Sequence, residues 1–161
     1  MNVPPFLVEP AGHDDVEALA SVERRCYTHP WSVRGFRDAL RRGDRGLVLI
    51  ARASLRADGE GGILGYCVIE TAADELHVHN LAVRPELQGG GIGRRLLTLA
   101  LGIGERRGAE VALLEVRASN RAAIELYRSM GFVSMAVRRA YYSQPTEDAL
   151  VFRKDGLVAG N

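Results

Sequence analysis

Between residues 88 and 95 the chain reads Gln-Gly-Gly-Gly-Ile-Gly-Arg-Arg, bare backbone followed by two arginines that open an apolar helical pattern. Glycine loses more conformational freedom on folding than any other residue, so this run weakens the helix start it precedes and must serve something besides stability. Main chain without side chains at a helix N-terminus offers unpartnered N–H groups and a partial positive charge, which is the chemistry of a phosphate site. The run is not a P-loop, because Arg94 and Arg95 follow Gly93 where Lys and then Ser or Thr are required. Nor is it a dinucleotide fingerprint, since counting from Gly89 or Gly91 puts Arg94 or Leu96 where the third glycine belongs. What remains is a Q-x-x-G-x-G pattern, and a tight turn or bulge would account for its glycines equally well.

Two more side chains are suited to moving protons. Glu115 lies at the end of the apolar run EVALLEV (110–116), where partial burial raises a carboxylate's pKa toward the working range. An ion pair with Arg117 or another arginine is the alternative reading. Tyr127 shares a helical face with Ala123 and Ile124; periodicity makes it a core aromatic, but its hydroxyl demands a partner if buried. His77 and His79 fall on one face of a strand without an evident third ligand, so no metal is expected.

The elements that must position these residues alternate in type. Strands are expected over 5–9, 46–53, 63–72, 75–83, 110–116, 132–142 and 148–153, from short apolar runs bounded by turn residues. Helices are expected over 14–27, after Ser32, from about residue 91 to 107, and after Ser119 or Asn120, with Gly108 and Gly131 as stops. Ile92, Leu96, Leu99 and Ile103 form the expected stripe of the third helix. RADGEGG (56–62) reads as a turn, making a hairpin of the strands on either side. One domain over 1–153 is expected, with a frayed tail over 154–161.

Composition narrows the function classes. The 161 residues are 47% hydrophobic and 25% charged, which suits a globular domain with a real core and excludes disorder. Twenty-one basic against 20 acidic residues, without blocks of one sign, argue against a nucleic-acid stripe. Cys26 and Cys67 are single and distant, suggesting neither a disulfide framework nor a zinc pair. With no secretory leader pattern and no run of 18 apolar residues, the expected location is cytosolic, away from membranes.

The Q-x-x-G-x-G loop resembles the pyrophosphate loop of the GCN5-related N-acetyltransferases (GNAT). The stretch LEVRASNRAAIELYRSMGF (114–132), with HPWS (29–32) and RRAYY (138–142), is similar to the RimI-like ribosomal-protein-alanine N-acetyltransferases within that family. The resemblance implies an α/β (α+β) GNAT fold: a mixed central sheet of six to seven strands, about four helices, and a splay between the fourth and fifth strands. It implies acetyl-CoA as co-substrate, no metal, and a protein N-terminus as acceptor, the N-terminal alanine of small-subunit ribosomal protein number eighteen. By the same resemblance, coenzyme contacts fall to Leu81, Ala82, Val83, Gln88, Gly89, Gly90, Gly91, Ile92, Gly93, Arg94 and Asn120. Trp31, Tyr141 and Tyr142 would flank the acceptor.

Acyl transfer from sulfur to an amine needs a neutral amine, a stabilised oxyanion and a protonated leaving thiolate. An α-amino group of pKa about 7.7 to 8.0 is largely a cation at neutral pH and needs a base, while a phenol of pKa about 10 can protonate a thiolate of pKa about 8.5. The resemblance gives these tasks to Glu115, acting through water, and Tyr127. Gly89 and Gly90 stand where relatives often carry arginine or polar residues, and Arg94 and Arg95 would supply the missing cations. An acceptor lysine, a small amine, a non-catalytic coenzyme-binding module, and an activity set by partner proteins remain open alternatives.

Overall fold

The computed structural model describes residues 2–55 and 61–157, so most of the turn expected over 56–62 lies outside the described residues. Its strands are β1 (Phe6–Pro10), β2 (Gly46–Ala53), β3 (Ile63–Ala72), β4 (Glu75–Val83), β5 (Val111–Arg117), β6 (Val133–Tyr142) and β7 (Glu147–Asp155). The helices are α1 (Val16–Cys26), α2 (Val33–Leu40), α3 (Ile92–Arg106) and α4 (Arg121–Ser129). The strands hydrogen-bond in the order β1-β2-β3-β4-β5-β7-β6, a mixed sheet as expected.

Local chemistry sets the element ends. The Ser32 hydroxyl accepts the Gly35 N–H at 3.1 Å and starts α2, and the Asn120 side chain accepts the Ala123 N–H at 3.3 Å and starts α4. Gly108 and Gly131, at φ +89° and +87°, end the helices before them in the left-handed region that glycine enters without steric cost.

The chain packs as two compact units, residues 1–70 with 80–100, and residues 71–79 with 101–161. In the first unit, β1, β2 and β3 run antiparallel, with a register shift at Ala51/Arg52. The apolar stripes of α1 and α2 (Leu19, Val22, Phe36, Ala39) pack with Val48, Ile50, Tyr66 and Val68 in one fully buried cluster. The first half of α3 buries Ile92, Leu96, Leu97 and Ala100.

In the second unit β5 lies between β4, parallel to it, and β7, antiparallel to it. The β4–β5 ladder joins Glu75–Val78 to Val111–Leu114 and goes no further, although the strands run on to Val83 and Arg117. The expected break between the fourth and fifth strands is there. Gly104 packs so closely on Leu76 that an added Cβ would stand 2.8 Å from Cδ2. That contact explains why the buried stripe of α3 runs 92, 96, 100, 104, leaving Leu99 and Ile103 only half-buried on its flank. Residues 154–157, expected within a frayed tail, belong to the fold: β7 reaches Asp155, the Leu157 N–H donates to the Glu110 carbonyl at 3.0 Å, and the Leu157 side chain is buried; the rest of that stretch lies outside the described residues.

Candidate active site

In the first unit the candidate coenzyme residues form one continuous path. The Arg84 N–H donates to the Leu64 carbonyl at 2.9 Å, so Arg84 faces β3. Main-chain direction alternates along a strand, so the amide and carbonyl of Val83 and Leu81 point the other way. Side chains occupy both outward carbonyls. The Tyr27 hydroxyl donates to the Leu81 oxygen at 2.6 Å, while the Gln88 amide and the Cys26 thiol donate to the Val83 oxygen at 3.2 and 3.4 Å. The N–H groups of Leu81 and Val83 share that edge, which therefore presents donors. Ala82, between them, is buried.

The glycine loop follows directly. Pro85–Leu87 form a short 3-10 turn, and Gly89 and Gly91 then adopt φ +82° and +88°, conformations an L side chain enters only with strain. Open space surrounds Gly91, with no heavy atom within 4 Å of an added Cβ. The Arg95 N–H donates to the Gly91 carbonyl at 3.0 Å, so a residue without a side chain stands at the cap position of α3. Nothing at that position competes with a ligand for the first-turn N–H groups, and Ile92 is buried beneath while Gly90 and Arg94 face solvent.

Sequence reasoning missed the group that braces this strand. Glu23 is only 1% exposed, on the stripe of α1 that also carries Val16, Leu19 and Ala20. Oε1 accepts the Trp31 N–H at 3.0 Å, and Oε2 accepts the Asn80 side-chain amide at 3.0 Å. Burial pushes the Glu23 carboxyl up, against these two donors, which pull it down. A charged residue at i+3, i+4 and i+7 of an apolar stripe was the available signal. Trp31, expected at the acceptor entrance, lies half-buried with its ring 5.5 Å from that of Phe36.

The second unit brings together Glu115, Tyr141 and Tyr142. The partner of Glu115 is Arg138, at 3.2 Å, while Arg117 pairs with Glu147 at 3.3 Å and lies 4.3 Å over the Tyr142 ring. Tyr141 donates its hydroxyl to Glu115, and that hydrogen bond is the first cause holding its phenol above the ordinary range. Burial, then the Glu115 charge, pushes the Tyr142 phenol up to about 12. Two extra residues in β6 produce this arrangement. Between the pairs Arg138↔Ala149 and Tyr142↔Glu147 the strand bulges through Ala140 at φ +50°, whose N–H the Asp148 carboxylate accepts at 2.9 Å.

Tyr127 is 5% exposed and packs its ring 5.8 Å from Phe132 and 6.2 Å from Phe152. Phe152 pairs with Leu114, and Glu115 pairs with Val151, so alternation puts the Glu115 side chain on the sheet face opposite the one that Tyr127 covers. Asn120 is engaged as the cap of α4. His77 Nε2 donates to the Glu75 carboxylate at 2.8 Å, and its ring stacks on His79 at 6.0 Å; among the described residues no group of three ligands surrounds them.

Residues 16–132 match the family model described as the acetyltransferase (GNAT) family. The chain is 36% identical over 144 residues to the ribosomal protein bS18-alanine N-acetyltransferase of Escherichia coli (strain K12), covering 89% of this chain and 88% of that protein. It is likewise 36% identical over 147 residues to the N-alpha-acetyltransferase RimI of Mycobacterium tuberculosis, covering 88% and 87%. The crystal structure of the ribosomal-protein-S18-alanine N-acetyltransferase from Escherichia coli aligns with a TM-score of 0.84 at 32% identity, over 98% of this chain and 97% of that one.

Proposed function

Because this chain belongs to the acetyltransferase (GNAT) family, we propose that it moves the acetyl group of acetyl-CoA onto the N-terminal α-amine of a protein, with the N-terminal alanine of ribosomal protein bS18 as acceptor. The likeness to an enzyme named for the alanine of ribosomal protein bS18 supports the choice of acceptor, and the likeness to one named as an N-alpha-acetyltransferase supports the α-amine, each at 36% identity across most of both chains.

The observation that carries the coenzyme is the order of two donor groups along the chain, the outward N–H groups of Leu81 and Val83 and then the open backbone of the glycine turn that starts α3. A strand edge whose outward carbonyls are already taken offers its N–H groups to carbonyl oxygens of a ligand. Beyond it, open backbone around Gly91 and a first turn whose cap residue carries no side chain suit a diphosphate, with Arg94 close in sequence to add charge. Acetyl-CoA, a chain of amides ending in a diphosphate, fits that order.

The second unit supplies the proton transfers. Glu115, held by Arg138 and Tyr141, takes the proton that the amine nitrogen must shed, through a water, as the N–C bond forms. Tyr127, from the opposite sheet face, gives its hydroxyl proton to the sulfur as the C–S bond breaks. Tyr141 and Tyr142 are the acceptor-side aromatics, rigid contact area at low entropic cost.

The test is acetyl transfer to a peptide beginning with alanine, beside the same peptide with a blocked N-terminus and an internal lysine, and beside a polyamine. One acetyl group on the free α-amine is expected. Reaction confined to the blocked peptide or the polyamine would refute the N-terminal reading.

A further inference from the structure

Three residues near the end of α1 grip three positions of β4. Glu23 holds the Asn80 side chain, Tyr27 holds the Leu81 carbonyl, and Cys26 holds the Val83 carbonyl. With its other oxygen Glu23 also holds the Trp31 N–H, so one buried carboxylate joins the segment between α1 and α2 to the strand. An ordinary structural carboxylate would be out of place here. Most of its neighbours on α1 and α2 are apolar, and a buried charge costs free energy that well-packed hydrophobic residues would not. What such a group provides, and an apolar one cannot, is a fixed registry between two main-chain segments, set by hydrogen bonds to a charge.

We infer that Glu23, seconded by Tyr27, is a positioning residue that locks the segment Thr28–Ser32, whose Trp31 the family resemblance puts beside the acceptor, to the coenzyme strand at Asn80–Leu81, so that the incoming amine and the donor edge keep one geometry. This rests on the acetyl-transfer reading above. The segment's outer side opens on a depression of about 480 Å³ lined by Arg24, Arg25, Cys26, Tyr27, Thr28 and Pro30, so the chain that follows Glu23 borders an accessible surface.

The hydrogen-bond polarity permits a decisive variant set. Glu23→Gln keeps an oxygen for the Trp31 N–H but turns an NH2 toward the NH2 of Asn80. Asn80→Asp alone sets two carboxylates against each other. Together, Glu23→Gln and Asn80→Asp restore one donor facing one acceptor, with the charge moved across the contact. Each single change is expected to raise the acceptor KM about tenfold, the factor that about 1.4 kcal/mol carries, and to leave the coenzyme Kd within about twofold. The double change is expected to recover most of that loss. Amide hydrogen exchange over residues 28–32 should quicken in each single variant and slow again in the double one.

Tyr27→Phe keeps the ring and removes only the bond to Leu81, so it should shift the acceptor KM in the same direction, about threefold. A fall in melting temperature with acceptor KM unchanged in all three single variants would overturn the proposal, as would a double variant no better than the worse single one. If the unaltered protein acetylates no α-amine, the acetyl-transfer reading fails by itself; the exchange pattern then still decides whether the lock exists.

Discussion

Gly65 offers the sharpest test of how β4 is positioned. An added Cβ there would lie 2.6 Å from the Ala82 carbonyl oxygen and 3.2 Å from the Val83 Cα. A relaxed carbon–oxygen contact needs about 3.3 Å, so Gly65→Ala must drive the main chain at Ala82 back by about 0.7 Å. Retreat is resisted on both sides. The Arg84 N–H is bonded to the Leu64 carbonyl, and the β2–β3 ladder shifts register beside Gly65, where Ala51 is its partner. The obstruction is backbone, so no side chain can rotate out of the way. Overpacking of this kind costs about 1–3 kcal/mol of stability, and a misplacement near 1 Å at a reacting centre costs about a hundredfold in rate.

Gly65→Ala should therefore lower kcat/KM by about ten- to a hundredfold and weaken coenzyme binding, read by acetyl transfer and by titration calorimetry. Gly104→Ala is the control. Its Cβ would meet Leu76 Cδ2 at 2.8 Å, the end of a side chain, so stability should fall while coenzyme affinity holds. A Gly65→Ala protein that binds coenzyme and turns over within twofold of the unaltered chain would refute the argument that the strand edge is held in place from β3.

Tyr127→Phe should cut kcat by about a hundredfold, within the range for loss of a general acid, with coenzyme Kd unchanged because the ring still packs on Phe132 and Phe152; unchanged kcat would remove its role. Gly91→Ala meets open space but adopts φ +88°, so it should cost about 1–2 kcal/mol in strain and raise the coenzyme Kd at least about tenfold; affinity unaffected would show that diphosphate does not lie on this turn. The Glu147 carboxyl is held below its ordinary value, first by the hydrogen bond from Ser119 and then by Arg117. A depressed folded-state pKa stabilises above the unfolded value and stops doing so as pH falls through the folded one. The melting-temperature gap between the unaltered protein and Glu147→Gln should thus be full at neutral pH and close below about pH 4; a gap constant down to pH 3 would contradict it.

Sequence by itself determined what depends on neighbours along the chain. Short apolar runs bounded by turn residues marked the seven strands, and helical spacing and caps the four helices, found among the described residues, because burial and turn chemistry both write themselves into neighbouring residues. Ser32, Asn120, Gly108 and Gly131 declared element ends, since caps and left-handed stops act within one turn. The glycine loop was legible for the same reason, as its positive φ values are a property of the residues themselves.

Packing alone decided the rest. That α1 carries an acid in its apolar stripe is visible in the residues, but its donor on Asn80 lies 57 positions away, and no local period reports such a partner. Glu115 could have paired with Arg117 two residues on; neighbours two apart on a strand do share a face, yet Glu147 captures Arg117 and leaves Glu115 to Arg138. The bulge at Ala140 delivers Tyr141 to that carboxylate, and the β5–β7 register puts Tyr127 behind the opposite face. These outcomes follow from competition among distant groups for the same hydrogen bonds and the same volume, which is settled only once the strands are in register.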